Sequence, residues 1–402
     1  MIMRVFIFGV LVFFVLYPFK LSFILIESRI LVAFAGLLAF LYDLFRVGFS
    51  LDRYLFGRFA FVVFGAFLVF WVSALSLIFN ESNDIQLLKY PLVVSSFLFM
   101  GYFLFFCSRF LLSGDMFYRF SLTLILVVLV QSLISLLMYF YQPLFDVWLN
   151  FVVYSEHEVA LIDDLRYSRV IGIGRPFFAG GIINGFILII IAHMLSNYRM
   201  TNLETVFYVT SYLLIFLIGM LISRSVLLGF ILSVLIILHV RYKWQIRVYL
   251  FSMTYLIFLL ILILPFLFSD TFEVLRKFAF EMFYSFFDGR GFETRSTEHL
   301  KTMFVYPDSV KTWLIGDGYW FNQDGGYYMS TDVGFLRLIY YFGALGLVVF
   351  CLYQLTLVLS AFGCSYFAFI VFLYFLVLNL KGYTDLSFIV ILFFYFRRSE
   401  RI

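Results

Sequence analysis

The sequence predicts an all-α polytopic integral membrane protein, a single transmembrane helical domain over residues 1–402 with two large polar loops on one side. Three observations carry this. Of 402 residues, 64% are hydrophobic and 23% aromatic, with only 13% charged. Mean hydropathy is +1.05, far above the range of ordinary soluble domains. Apolar runs near span length follow one another with short breaks, as in a bundle of membrane helices.

On a rule of roughly 20 apolar residues per crossing, shortened where interfacial aromatics or cations finish it, about twelve transmembrane helices are expected. They cover 5–26, 29–45, 59–79, 90–107, 120–141, 177–195, 205–222, 225–240, 248–268, 333–358, 364–380 and 385–396. The first run follows Arg4 as a signal peptide would, but it is long and has no small-x-small cleavage site, so it is expected to be retained. With the N-terminus inside, thirteen Lys and Arg fall in inner loops, from Arg4, Arg46 and Arg53 to Arg397, Arg398 and Arg401. Lys20, Arg29, Lys89, Arg224 and Lys381 are the five on the short outer side, so both termini are expected in the cytoplasm. The loops 142–176 and 269–332 are then external. The second opens with "SDTFEVLRKFAFEMFYSFFDG", an apolar-faced helical stretch expected along the membrane surface, and continues into Gly-, Asp- and aromatic-rich turns.

Several classes of function are excluded by composition. A net charge of +4 spread along the chain does not suit nucleic acid. Cys107, Cys351 and Cys364 lie in or beside apolar runs without a CxxC pair, which supports neither a disulfide framework nor a thiolate metal site. Asp317, Asp324 and Asp332 match no tight ligand spacing, so no metal or cofactor is expected, and Asp317 and Asp324 read as turn residues. A transporter would place ionisable groups on interrupted helices near the midplane. Here the prolines, at 18, 91, 143, 176, 265 and 307, stand near span ends or in loops, and polar chemistry gathers in the two large outer loops.

That outer side is rich in arginine. Arg166, Arg169 and Arg175 lie in "LRYSRVIGIGRPFFAGG", Arg224 in "SRS", Arg290 and Arg295 in "DGRGFETRSTEH", and Arg337 in "STDVGFLRLIYYFGALG". A guanidinium presents a planar fork of donors that suits phosphate oxygens, and near a low-dielectric boundary the attraction is screened less. Arg166 is accounted for by ion pairing with Asp163 or Asp164, whereas Arg224 stands alone between apolar runs, where snorkelling explains its tolerance but not its presence. Arg290 and Arg295 are balanced between ligand contact and loop pairing. His193 and His239 read as structural; His157 lies outside, and His299, four residues after Arg295, is a candidate general base. Asp332 precedes a long apolar run and is expected to cap it. Arg337, five positions on, is off the same helical face, so each of the two is expected to meet a group from elsewhere.

"SRS" at 223–225, "LIGDGYW" at 314–320, "STDVGFLRLIYYFGALGLVVF" at 330–350, and Arg169 followed after ten intervening residues by Gly180 together resemble the Wzy-type polysaccharide polymerases, chiefly O-antigen polymerases. The hydropathy likeness covers the whole chain and the motifs four short patches. The resemblance implies a bacterial inner-membrane glycosyltransferase working at the periplasmic face. It would transfer a growing undecaprenyl-diphosphate-linked glycan onto a new lipid-linked repeat unit, with membrane lipid around it and a separate chain-length regulator as partner, without a metal or nucleotide sugar. By similarity to the related O-antigen ligases, Arg224 is the first diphosphate candidate, Arg290 or Arg295 the second, and Arg169, Arg175 and Arg337 complete the set. The ligases carry a histidine where this chain has "MSTDVGF", which favours a polymerase and leaves Asp332 and His299 as alternative bases. A ligase or a lipid-linked oligosaccharide flippase is the alternative reading.

Overall fold

A computed structural model describes residues 2–24, 26–47, 53–154, 156–174, 177–239, 243–289, 291, 294–322 and 325–396. Among them the protein is all-helical, with two isolated β-bridges, Leu21 to Val152 and Phe321 to Tyr327. In chain order the helices are α1 Ile2–Leu16, α2 Ser28–Val47, α3 Arg53–Asn80, α4 Tyr90–Leu111, α5 Met116–Phe140, α6 Gln142–Phe151, α7 Glu156–Leu165, α8 Phe177–Asn197 and α9 Asn202–Ile222. There follow α10 Val226–Leu238, α11 Lys243–Leu267, α12 Glu273–Ala279, α13 Glu281–Phe287, α14 Arg295–Thr302, α15 Val310–Ile315, α16 Gly334–Phe362, α17 Tyr366–Leu378 and α18 Ser387–Phe394.

Each expected apolar run falls on a helix, but fewer than twelve have span length. Among the described residues, seven are long and apolar enough to cross a membrane: Ser28–Arg46, Phe59–Asn80, Tyr90–Leu111, Met116–Phe140, Phe178–Asn197, Asn202–Ile222 and Gly334–Phe362. The chain is therefore a polytopic membrane protein. Met3–Leu16, Val226–Leu238, Val248–Ile261 and Tyr366–Leu378 are shorter apolar helices.

Two runs differ from expectation in form. The first was expected to continue to residue 26, yet α1 stops at Leu16 because Pro18 pushes Tyr17 out of the helical region. The chain then runs beside the end of α6, where the Val153 amide donates to the Lys20 carbonyl at 2.8 Å. The run 333–358 is broken: within α16, Phe342 (φ −139°) and Gly343 (φ 73°, ψ −177°) leave helical geometry. No proline marks this break.

The chain packs as two compact units. The first comprises Met1–Val32 and Cys107–Phe292. Its central helix is α8, in which Phe186 through Ala192 have no exposure, as expected of a helix apolar all round. Small residues let α10 reach it: a Cβ added to Gly229 would overlap the Cα of Gly185, and one added to Gly181 would overlap the Ser225 hydroxyl. Gly181 and Gly185 thus form a GxxxG surface that meets Ser225 and Gly229, the small-xxx-small pairing of membrane helices. Gly229→Ala is expected to force the backbones apart at about 1–3 kcal/mol, measured as a lowered unfolding midpoint in detergent. An unchanged midpoint would mean the crossing relaxes freely.

In the same unit α9 is started by a Thr201–Glu204 capping box and α5 by Asp115, which accepts from the Tyr118 amide. The opening of the second large loop docks on the bundle. Leu275 and Ala279 of α12 pack with Val170, Ile218, Met220, Leu221 and Ile222, while Val274, Phe286 and Phe287 stay exposed.

The second unit comprises Ala33–Phe106 and Glu293–Ile402. Here α16 packs on α3, α15, α17 and α18. Val333, Leu336, Ile339 and Tyr340 form a cluster with Leu300, Met303 and Phe304, fixing α14 beside the start of α16. At the break, carbonyls freed from the helical ladder find other donors: the Asp317 amide reaches Tyr340 O at 2.6 Å, and Gly318 N and Ser76 Oγ reach Tyr341 O at 3.2 and 2.7 Å. A further polar group, Gln354, donates from Nε2 to Asp385 Oδ1 at 2.7 Å and to the Tyr90 hydroxyl at 3.1 Å.

Candidate functional site

Two arginine centres stand out, one in each unit. The first begins where α9 ends. Ser223 is extended (φ −160°, ψ 130°) and closes α9 with its amide on Gly219 O, and Val226 N then bonds Ser223 O to start α10. The hydroxyls of Ser223 and Ser225 satisfy each other at 2.9 Å, and both lie against Gly181. This tight turn leaves the Arg224 side chain to leave the bundle axis toward α12 and α13. After α7, the Val170 amide bonds the Leu221 carbonyl and brings Arg169 to the same place.

Both guanidinium groups lie over the Phe278 ring, Arg169 at 4.4 Å and Arg224 at 4.8 Å from its centroid. Each contact is worth about 0.5–2 kcal/mol according to solvation. Glu281 Oε2 approaches Arg224 Nη1 at 2.8 Å, although the angles do not make a hydrogen bond and Nη1 is buried without one. The contact is close but undirected, and its attraction is Coulombic. Burial, then the nearby Arg224 charge, lowers the Arg169 pKa from the usual arginine range, while Asp164 and Glu281 oppose this. Two cations crowd one aromatic face and two carboxylates balance them, an arrangement suited to exchanging a carboxylate for phosphate oxygens.

The second centre lies at the start of α16. Arg337 has 8% side-chain exposure and is enclosed by Trp320, 4.2 Å from its ring centroid, and Tyr327, at 3.9 Å. Its Nη1 donates to Asp332 Oδ1 at 3.3 Å, and its Nε has no acceptor. Asp332 keeps 37% exposure. Burial pushes its carboxyl above the usual carboxylate range, against the opposing pull of Arg337 and then Lys381.

Two expectations about this pair are corrected. Asp332 and Arg337 do meet, because the i, i+5 rule applies within a helix and Asp332 precedes it: Val333 is extended (φ −62°, ψ 114°) and turns Asp332 back along the first turn. Nor does Asp332 cap α16. The N-cap is Val333, without a side-chain cap bond; Thr331 Oγ1 accepts from the Val333 amide, and the Phe335 amide donates to Asn379 O.

Other candidates fall elsewhere. Arg166 is paired, but with Asp146 at 3.3 Å and the Tyr167 hydroxyl at 2.7 Å instead of its neighbours Asp163 and Asp164. Asp317 is more than a turn residue: its carboxylate accepts from Thr312 and Tyr328. His299 is exposed on α14, and Arg295 is the first residue of that helix. Arg175, Arg290 and Asp324 lie outside the described residues. Among described residues, no group of three or more His, Cys, Asp or Glu is placed to hold a metal. Phe278, Glu281, Trp320 and Tyr327 escaped sequence reasoning. In apolar, aromatic-rich segments their types carry no signal, although Glu281 three residues after Phe278 could have marked a shared face. No protein-family model, curated protein or solved structure matches the chain, so its function is argued from its own residues.

Proposed function

We propose that the protein is a polysaccharide polymerase of the Wzy type. It transfers a growing undecaprenyl-diphosphate-linked glycan onto a new lipid-linked repeat unit at the outer face of the bacterial inner membrane. Twelve crossings, both termini inside and the two large loops in the periplasm complete this reading. The observation that carries it is the Arg169 and Arg224 pair over Phe278, two guanidinium groups on one aromatic face with Glu281 beside Arg224.

A glycosyl transfer of this kind separates charge in two places. Negative charge grows on the leaving diphosphate, and the acceptor hydroxyl must lose a proton. Fixed cations at the first and a base at the second stabilise the transition state. Arg169 and Arg224 meet the first requirement, with Glu281 displaced as the diphosphate arrives. For the second requirement the resemblance leaves two candidates, and Asp332 is one, a carboxyl that burial holds above the usual carboxylate range. His299 is the alternative.

The test is the lipid-linked and surface glycan profile of cells lacking the gene, complemented with the intact chain or with Arg224→Ala at equal membrane abundance. The intact chain is expected to restore a ladder. Arg224→Ala should collapse it to single repeats, with transfer slowed about a hundredfold, the size expected for one lost donor to a developing anion. Full-length glycan accumulating on undecaprenyl diphosphate would instead identify a ligase. Single repeats trapped at the cytoplasmic face would identify a flippase.

A further inference from the structure

The second unit carries an aromatic surface that the diphosphate site does not use. Tyr319 and Tyr328 stack at 5.5 Å and 28°, and Phe321 and Tyr327 at 6.1 Å and 26°. Tyr319, Phe321 and Tyr327 are each 40–41% exposed despite this pairing. The segment folds back on itself through the Phe321 to Tyr327 bridge, closed by Asn322 N on Gly326 O and by the Asn322 side chain on Tyr327 O.

These rings are held at a cost. Met329 and Ser330, neither of them glycine, both sit at φ 54°, where each residue is strained by about 1–3 kcal/mol. Arg337 is buried beneath the hairpin with Nε unpaired, filling the space between Trp320 and Tyr327. Trp320 is itself fixed edge-on to Tyr383 at 4.8 Å, with its amide on Asp84 Oδ2 at 2.8 Å. Tyr328 is tied to Asp317 through its hydroxyl, and burial with that carboxylate pushes the phenol up to about 12, so it remains a donor at neutral pH.

Aromatic belts at a membrane interface need none of this, since they are single side chains at helix ends. Paired flat rings on a braced hairpin, with the partly exposed Asp332 carboxylate and the Asn322 amide in the same segment, match a different ligand. A pyranose has an apolar face of C–H groups for a ring and an edge of hydroxyls for polar acceptors. The geometry points to a carbohydrate-binding platform at Tyr319 and Phe321, backed by Tyr328 and Tyr327, with Asp332 at its polar edge, that takes a neutral hexopyranose of the glycan. It rests on the polymerase reading for the glycan's being substrate, and adds where and by what chemistry the sugar is held. Arg337 is a positioning residue, bracing Tyr327 and Trp320 without reaching the ligand. A uronic acid is disfavoured by the Asp332 carboxylate.

The experiment is saturation-transfer NMR on the full chain in nanodiscs, with methyl β-glucoside, methyl β-galactoside and methyl β-glucuronide as probes. Transfer to C–H protons of a neutral glycoside, weaker for the glucuronide, is the expected result. Tyr319→Phe should keep it. Tyr319→Ala and Phe321→Ala should each weaken it about tenfold, the equivalent of one lost aromatic contact, with the unfolding midpoint unchanged. Arg224→Ala should leave it intact. Absence of transfer from every probe, or transfer equal in wild type and both alanine variants, overturns the platform. Transfer in chains whose gene makes no difference to the glycan ladder would keep the platform and remove the polymerase reading; a gene-dependent ladder without transfer would do the reverse.

Discussion

Gly343→Ala is expected to be the most damaging single methyl in the second unit, lowering stability by about 4 kcal/mol. Two independent effects add. At φ 73°, ψ −177° the backbone occupies a region open essentially to glycine alone. A Cβ there would also overlap the Leu314 carbonyl oxygen at the end of α15. Relief through straightening of α16 would remove the Tyr340 and Tyr341 carbonyls from Asp317 N, Gly318 N and Ser76 Oγ. Those bonds fix the turn that leads to Trp320, so the damage should reach the Arg337 enclosure. Alkylation of Cys351, half-buried in α16 beyond the break, reports it locally alongside the global unfolding midpoint. Asparagine usually rescues left-handed positions but not this ψ, so Gly343→Asn should fare no better. A well-folded Gly343→Asn would show that the break is an ordinary left-handed turn.

What could be read from the sequence follows from which interactions are local. Apolar runs locate helices because burial in lipid or protein demands them residue by residue, and all twelve runs fall on helices. Their ends depend on single residues: Pro18 shortens α1, and Gly343 breaks α16 without a proline to announce it. Arg224 was visible as a charge isolated between apolar runs, and the fold brings Arg169 to the same ring. Their company was not visible. Phe278 is one of 59 phenylalanines, and only packing of α12 onto α9 brings it beneath two guanidinium groups. The Asp332 to Arg337 pair was misjudged because helical spacing was applied from a residue two positions before the helix starts.

That pair makes the second strong prediction, and its two partners should not behave alike. Arg337→Ala leaves Asp332 two-thirds buried without its hydrogen-bonded cation, and removes the filler between Trp320 and Tyr327. Breaking a buried pair from one side costs about 3–5 kcal/mol; the exposure of Asp332 places this case near the lower figure. Arg337→Lys keeps the charge but not the plane, and should recover only part of the loss. Asp332→Asn is different, because for this carboxylate desolvation already outweighs the attraction of Arg337. A carboxyl whose pKa is raised on folding binds more proton in the folded chain, so stability falls as pH rises from the ordinary carboxylate value through the raised one. Above that window the loss is complete. Unfolding midpoints measured against pH should therefore decline through the window in the intact chain, decline further in Arg337→Ala, and lose this component in Asp332→Asn. At neutral pH Asp332→Asn, whose amide oxygen can still accept from Arg337, should lose less stability than Arg337→Ala while failing to extend glycan, the pattern of a group kept for its chemistry. If Asp332→Asn loses as much stability at neutral pH as Arg337→Ala, the attraction within the pair is the larger force, and Asp332 is there to hold Arg337 in place.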